Sequence, residues 1–331
     1  MRIAVDAMGS DDRPAPDVEG AVMAARDFNL GIALVGPQDT IEAELAKHDT
    51  SDLAIEIVHA GEVITMTDKP AESAKAKQNS SMHVGMRLVE TGEADAFVSA
   101  GNTGAALAVA TLHTLKRVSG VKRPALCAVF RNMTGYTIIC DFGANADCKP
   151  EYLLQFAQMA DVYTRRALKI EEPRVALLSN GEEEGKGDEL VRSTTPLMKD
   201  LPGINYVGNV EPKEVLKGET DIVVADGFVG NIMGKSFEAM ASYMGTVLRE
   251  ELTANPVRMV GAALVKPGID SLRARLDPED IGGVPLLGVN GVVIIAHGRS
   301  SAKAIRNAVR QAKDAVDEQI VTAIRSSIGA G

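Results

Sequence analysis

The stretch SAGNTGA, residues 99–105, leaves an apolar run through two glycines, an amide and a hydroxyl. Gly101 and Gly104 let another group approach the backbone closely and permit dihedrals that side chains disfavour. A stretch of helical spacing, AALAVATLHTLKRV, begins at once, so its first N–H groups would point at whatever sits in the turn. Such a turn suits an anion, phosphate foremost; it is equally an ordinary strand-to-helix connection. A second place of this kind is AHGRSS, residues 296–301. There His297 and Gly298 end an apolar run, and Ser300 or Ser301 is placed to cap the following helix. A histidine at a strand end can exchange a proton near neutral pH, although a lone histidine is more often structural. Two other stretches imitate a nucleotide-phosphate loop and fail. GNIMGKS (230–236) has three residues between its glycines where that loop needs four. GEEEGKG (181–187) fails likewise, and its Glu182–Glu184 run would repel a triphosphate. No GxGxxG fingerprint exists, which disfavours a nucleotide enzyme.

The elements that must position these residues follow one pattern: an apolar, β-branched run, then a break containing glycine. It recurs at 2–9, 32–36, 55–61, 96–102, 137–145, 174–181, 221–231 and 292–298. Continuous apolar strands imply a sheet covered on both faces. Helical segments between most of them imply parallel α/β topology. The glycines fall on the C-terminal side of the strands, where open parallel sheets bind ligands. Beyond residue 301, Ile305, Val309, Ala312, Val316, Ile320 and Ile324 recur at three- and four-residue steps, which predicts one long amphipathic helix.

The 331 residues are 45% hydrophobic, enough for a large core, and with aromatics at 4% that core must be aliphatic. A net charge of −10 argues against a nucleic-acid partner. Cys127, Cys140 and Cys148 show no CxxC spacing, so neither a zinc site nor a disulfide framework is expected, and all three read as reduced cytosolic thiols. No HExxH or His/Cys cluster predicts a metal requirement. Asp6 interrupts the first apolar run, which reads as a strand rather than a signal peptide. No uninterrupted apolar stretch reaches about 18 residues, the length of a spanning helix. In 253–276, Val257, Met259, Val260, Ala263, Leu264 and Val265 form an apolar group bordered by Arg258, Lys266, Arg273 and Arg275. That composition suits a membrane interface, and equally a dimer-interface or core helix.

VDAMGSDDRP, SAGNTGA, DFGANADCKPEYL, EEGKGDEL, ADGFVGN and AHGRSS occur in this order along the chain. In type and spacing they resemble the phosphate acyltransferases of the PlsX type, and the resemblance covers essentially the whole chain. One departure is Asp188, where that family often carries Asn. The resemblance implies a three-layer α/β/α fold with a mostly parallel sheet, like the phosphotransacetylases and isopropylmalate dehydrogenases. It implies one catalytic unit over 1–331, with 253–280 as a protruding helical segment for dimer or membrane contact through Val257, Val260, Leu264 and Val265. The implied reaction converts acyl-[acyl-carrier protein] and inorganic phosphate into acyl phosphate, in bacterial phospholipid synthesis. The implied partners are acyl-carrier protein, a second copy of the chain, the membrane surface and a membrane acyltransferase. The implied location is cytoplasmic, peripheral to the membrane, with no cofactor.

In that reaction phosphate is itself the nucleophile, so no enzyme Ser or Cys need form an intermediate, and no GxSxG elbow is present. Lys186, His297 and Asn102 are then the expected catalytic residues. Gly101, Asn102, Thr103, Gly104, Asn145, Lys149, Asn231, Gly298 and Ser300 are expected at the phosphate, with backbone amides at 101–104, 143–145, 227–231 and 298–300. Asp141 and Asp226 end strands, where they would cap loops or orient the cations. Cys148, beside Lys149, is the one candidate protein nucleophile. Two other readings are a dehydrogenase of the isopropylmalate type, which needs a nucleotide site and a metal-binding carboxylate cluster, and a non-catalytic sensor of acyl ligands at a lipid surface.

Overall fold

The computed structural model describes residues 1–329, without the side chains of 273–276, 278 and 329. Its strands are β1 (Arg2–Asp6), β2 (Gly31–Gly36), β3 (Ile55–His59), β4 (Ala96–Ser99), β5 (Ala125–Arg131), β6 (Tyr136–Cys140), β7 (Arg174–Leu178), β8 (Asn205–Val210), β9 (Ile222–Val224), β10 (Gly283–Leu287) and β11 (Val292–Ala296). They form one eleven-stranded sheet in the order β3-β2-β1-β4-β11-β10-β5-β6-β9-β7-β8. All eight strands expected from the sequence are present. The three others are β5, β8 and β10.

Two of those three reverse the sheet. β11/β10, β10/β5 and β5/β6 pair antiparallel, and the pairs on either side of them are parallel. Three reversals leave β6, β9, β7 and β8 running opposite to β1, β2, β3, β4 and β11. The sheet is therefore two parallel blocks of opposite sense joined by two strands.

The helices are α1 (Ala15–Phe28), α2 (Gln38–Leu45), α3 (Pro70–Ala76), α4 (Ser81–Thr91), α5 (Thr103–Ala108), α6 (Pro150–Ala167), α7 (Glu189–Lys199), α8 (Pro212–Lys217), α9 (Gly227–Thr253), α10 (Pro256–Leu276), α11 (Ala302–Asp317) and α12 (Ile320–Gly329). They cover both faces, and the pleat shows how. Ile3, Val5, Ile32, Leu34 and Val98 point into one cluster with α1 and α11. Their neighbours Ala4, Ala33, Val35 and Phe97 point into another with α4 and α5. In the second block Ile138, Leu177 and Val224 pack on α6, while Ile139, Ala176 and Val223 join Met233 of α9. This is the three-layer α/β/α arrangement with a mostly parallel sheet.

Three expectations are corrected. The single C-terminal helix is two, broken where Gln319 takes φ 51°. Ile305, Val309 and Ala312 serve the first block and Ile320 and Ile324 the second, so the break lets one apolar stripe reach two cores. The helix after SAGNTGA ends in a π-helical turn, Val109–His113, short of residue 118. Cys127 and Cys140 are not free thiols: antiparallel pairing of β5 and β6 sets them opposite each other with Cα atoms 4.4 Å apart, and they are joined as a disulfide. A sequence separation of 13 gives no hint of that register.

The start of α9 lies hard against the loop after β6. A Cβ on Gly230 would sit 2.1 Å from the Asp141 carbonyl oxygen, and one on Gly234 would sit 2.1 Å from the Phe142 ring. A ring can rotate away, whereas a backbone carbonyl cannot without moving the loop. Gly230→Ala should cost about 2 kcal/mol or more in denaturant unfolding, and Gly234→Ala about 1 kcal/mol. The reverse ranking would contradict this packing.

Candidate active site

β1, β4 and β11 are adjacent and parallel, so the loops at 7–14, 100–104 and 297–301 leave the sheet side by side. Gly9 is required at their junction: a Cβ there would sit 2.7 Å from the Ala100 nitrogen. The Asp11 N–H donates to the Gly298 carbonyl at 2.7 Å. Beneath them Asp6 is buried, and its carboxylate accepts from Ser99 Oγ at 2.7 Å and Met8 N at 3.1 Å. Burial raises the Asp6 pKa, while hydrogen bonds from Ser81, Ser99 and Met8 oppose the rise. Ser99 Oγ in turn accepts the Gly101 N–H at 3.0 Å.

The Gly101 amide is thus already occupied. So is the Asn102 side chain, which is buried. Its Oδ1 accepts the Ala105 N–H at 3.0 Å, capping α5. Its Nδ2 donates to the carbonyls of Thr65, Met66 and Asp68 at 3.3, 3.4 and 3.2 Å. Asn102 therefore ties the 65–68 loop to α5. Among the described residues, the Thr103 and Gly104 amides have no protein acceptor. His297 is exposed. Its Nδ1 accepts the Arg299 N–H at 3.1 Å, which leaves the proton on Nε2, free to donate. A Cβ on Gly298 would meet Met66 Cε at 2.6 Å, so the 65–68 loop closes over that glycine. Ser300 is buried, and Ser301 caps α11 by accepting the Ala304 N–H at 3.4 Å.

Asn145, Lys149, Asn231 and Lys186 belong to the second block, where β6, β9 and β7 are adjacent and parallel. Asp141 organises it. Its buried carboxylate accepts from Leu126 N at 2.9 Å, Ala144 N at 3.2 Å, Asn145 N at 2.7 Å and Asn145 Nδ2 at 2.9 Å. Asn145 Nδ2 also donates to the Pro124 carbonyl at 2.8 Å, and the Asn145 carbonyl accepts the Gly227 N–H at 2.7 Å. Asp226 caps α9, accepting from Phe228 N and Val229 N at 2.9 Å each, and its carbonyl accepts the Gly230 N–H. The amides at 227–230 are thereby satisfied internally. The expectation that they cradle an anion is corrected; donors near α9 must come from side chains. Asn231 is one, half-buried, its carboxamide about 3.5 Å from where a Gly143 Cβ would be.

Lys149 is exposed at the N-cap of α6. Lys186 is exposed, its stem lying across Gly181. Two of the three acids beside it pair elsewhere, Glu184 with Lys199 and Glu182 with Lys213. Neither Lys149 nor Lys186 has an ion pair among the described residues. Asp188 caps α7, accepting the Val191 N–H at 2.8 Å. Phe142 and Ala144 pack against the apolar layer that also contains Ala105 and Ala106 of α5. Cys148 is half-buried. Burial first, then the charges of Asp141 and Asp226, push its thiol up to about 12, so it is protonated at neutral pH.

A family model described as "Fatty acid synthesis protein" matches residues 1–323. The chain belongs to this family. The phosphate acyltransferase of Geobacter sulfurreducens is 45% identical over 316 residues, 96% of this chain and 91% of the relative. That of Pelotomaculum thermopropionicum is 45% identical over 328 residues, covering 99% and 95%. The chain is accordingly an enzyme of the phosphate acyltransferase class. Among solved structures, the phosphotransacetylase of Streptococcus pyogenes has the same fold, with a TM-score of 0.62 at 19% identity over 96% of this chain and 94% of that one. The EutD phosphotransacetylase of Staphylococcus aureus superposes with a TM-score of 0.60 at 17% identity, covering 96% and 94%.

Sequence reasoning missed the Asp6–Ser99–Gly101 chain and the pair Asp17–Ser10. Asp17 is buried in α1 and accepts from Ser10 Oγ at 2.5 Å. Burial, with the charge of Asp6 as a lesser cause, pushes it up to about 7 from 3.8. The folded state thus holds this proton more tightly than the unfolded chain. The stability it contributes is full below about 3.8 and fades as pH rises through about 7. Asp17→Asn should therefore gain stability relative to the parent between about pH 4 and about pH 8 in denaturant melts. Parallel curves would contradict the assignment.

Proposed function

We propose that this enzyme transfers the acyl group of an acyl-[acyl-carrier protein] thioester to inorganic phosphate, as a step of phospholipid synthesis. A phosphate oxygen attacks the thioester carbonyl carbon. The tetrahedral intermediate then expels the carrier thiolate, which takes a proton and leaves as free thiol. The observation that carries the reading is the division of labour among polar groups. Buried carboxylates hold the loops, while Lys186, Lys149, Asn231, His297 Nε2 and the Thr103 and Gly104 amides keep donors without protein partners among the described residues. Those donors suit a phosphate dianion and a developing oxyanion. The protonated Cys148 offers no competing nucleophile, so catalysis rests on positioning, worth up to roughly 7–11 kcal/mol in favourable cases. Asn102 acts by holding the 65–68 loop against α5.

The α9–α10 hairpin fits contact with a second copy and with a membrane surface. Val257, Val260, Leu264 and Val265 are 82%, 66%, 79% and 53% exposed, an unusual density of apolar surface. Of the basic residues beside them, Arg258 pairs with Glu251 and Lys266 with Asp270. The side chains of Arg273 and Arg275 lie outside the described residues. Membrane attraction would then rest on apolar burial more than on charge. Among the described residues, no helix is long and apolar enough to cross a membrane.

Incubation with acyl-carrier thioester and phosphate should yield acyl phosphate, trapped as hydroxamate by hydroxylamine. Cys148→Ser should retain most of this activity, and intact-protein mass spectrometry without phosphate should show no acyl adduct. An adduct on Cys148 discharged by phosphate would replace direct attack with a covalent route.

A further inference from the structure

The segment between the π-helical turn and β5 carries Lys116, Arg117, Lys122 and Arg123, all exposed. Their contacts make one surface. Arg117 Nη1 donates to the Lys122 carbonyl, and Asn290 Nδ2 donates to the Arg117 carbonyl at 2.9 Å. Arg325 reaches Asn290 Oδ1 at 3.1 Å, which adds a fifth cation. Arg123 lies over the Tyr152 ring at 5.8 Å. Among the described residues the one ion pair these five make is Lys122–Glu151, at 4.0 Å. A cationic surface with a single ion pair is unexpected on a chain of net charge −10.

The patch adjoins the candidate site, because Pro124, next to Arg123, accepts Asn145 Nδ2. We infer that it is the docking surface for an acidic protein domain, the carrier that delivers the thioester; this rests on the reaction proposed above. Charge complementarity of this kind steers encounter and fixes orientation, and it weakens with salt. The cations stand on different elements from the exposed apolar residues of α9 and α10.

The test is the double variant Arg117→Glu/Lys122→Glu, assayed with acyl-[acyl-carrier protein] and with a small acyl-pantetheine thioester at several NaCl concentrations. The KM for the carrier substrate should rise about tenfold and lose much of its salt dependence. The small thioester should be turned over within about twofold of the parent rate, which also reports an intact fold. An unchanged carrier KM overturns the proposal. So does loss of binding to anionic phosphatidylglycerol vesicles with carrier kinetics intact, which would assign the patch to lipid. If the parent turns over neither thioester, the reaction is wrong, and direct binding of carrier protein to parent and variant then decides the surface by itself. Should the double variant fail to fold, Arg325→Glu makes the same comparison.

Discussion

Buried carboxylates at strand ends hold the loops of this enzyme in place. Asp6 closes β1 and Asp141 follows β6, both fully buried. A carboxylate away from water is costly unless it is hydrogen-bonded. Asp141 is offset by three backbone N–H groups and one carboxamide, and Asp6 by Ser99 and Met8. Each therefore fastens the chain that follows it. The consequence for chemistry is subtractive. Amides at 101, 144, 145, 227–230, 299 and 300 have protein acceptors, the last two on His297 against the expectation for 298–300, so anion binding falls to the amides and side chains that do not.

The legible part of the fold was the part built from continuous apolar runs. Seven of the eight strands showed themselves through runs that are largely buried, and the edge strand β3, with none of its residues buried, through Ile55, Ile57 and Val58. β8 escaped because Asn205, Gly208 and Asn209 leave no continuous apolar run, and β10 because Gly283 and Pro285 interrupt the run. β5 lacks the glycine-containing break that marked the others. Missing β5 and β10 concealed the reversal between the blocks, since only the pairing register reveals strand direction. The stripe from Ile305 to Ile324 was read with the right period, but the single left-handed residue Gln319 divides it.

The site was legible in residue type and less so in role. Glycine, asparagine and serine at strand ends marked the loops after β4 and β11, which the structure sets side by side. Sequence alone does not say whether an asparagine there binds a ligand or a neighbouring carbonyl. Asn102 binds three carbonyls, and Asn145 joins Asp141 to Pro124. Asp6 and Ser99 gave no signal, because one reads as the end of a strand and the other as a turn residue. Lys186 stands out only after two of its acidic neighbours are seen to pair with Lys199 and Lys213.

Asp141 fixes the 141–149 loop, which carries the candidate phosphate ligand Lys149. Amide hydrogen exchange at Ala144 and Asn145, read beside phosphate-dependent turnover in Asp141→Asn, tests it most directly. Exchange at those two amides should be faster by about tenfold or more, with turnover reduced and the β-sheet amides still protected. Unchanged exchange at Ala144 and Asn145, or full turnover despite a loosened loop, would contradict it.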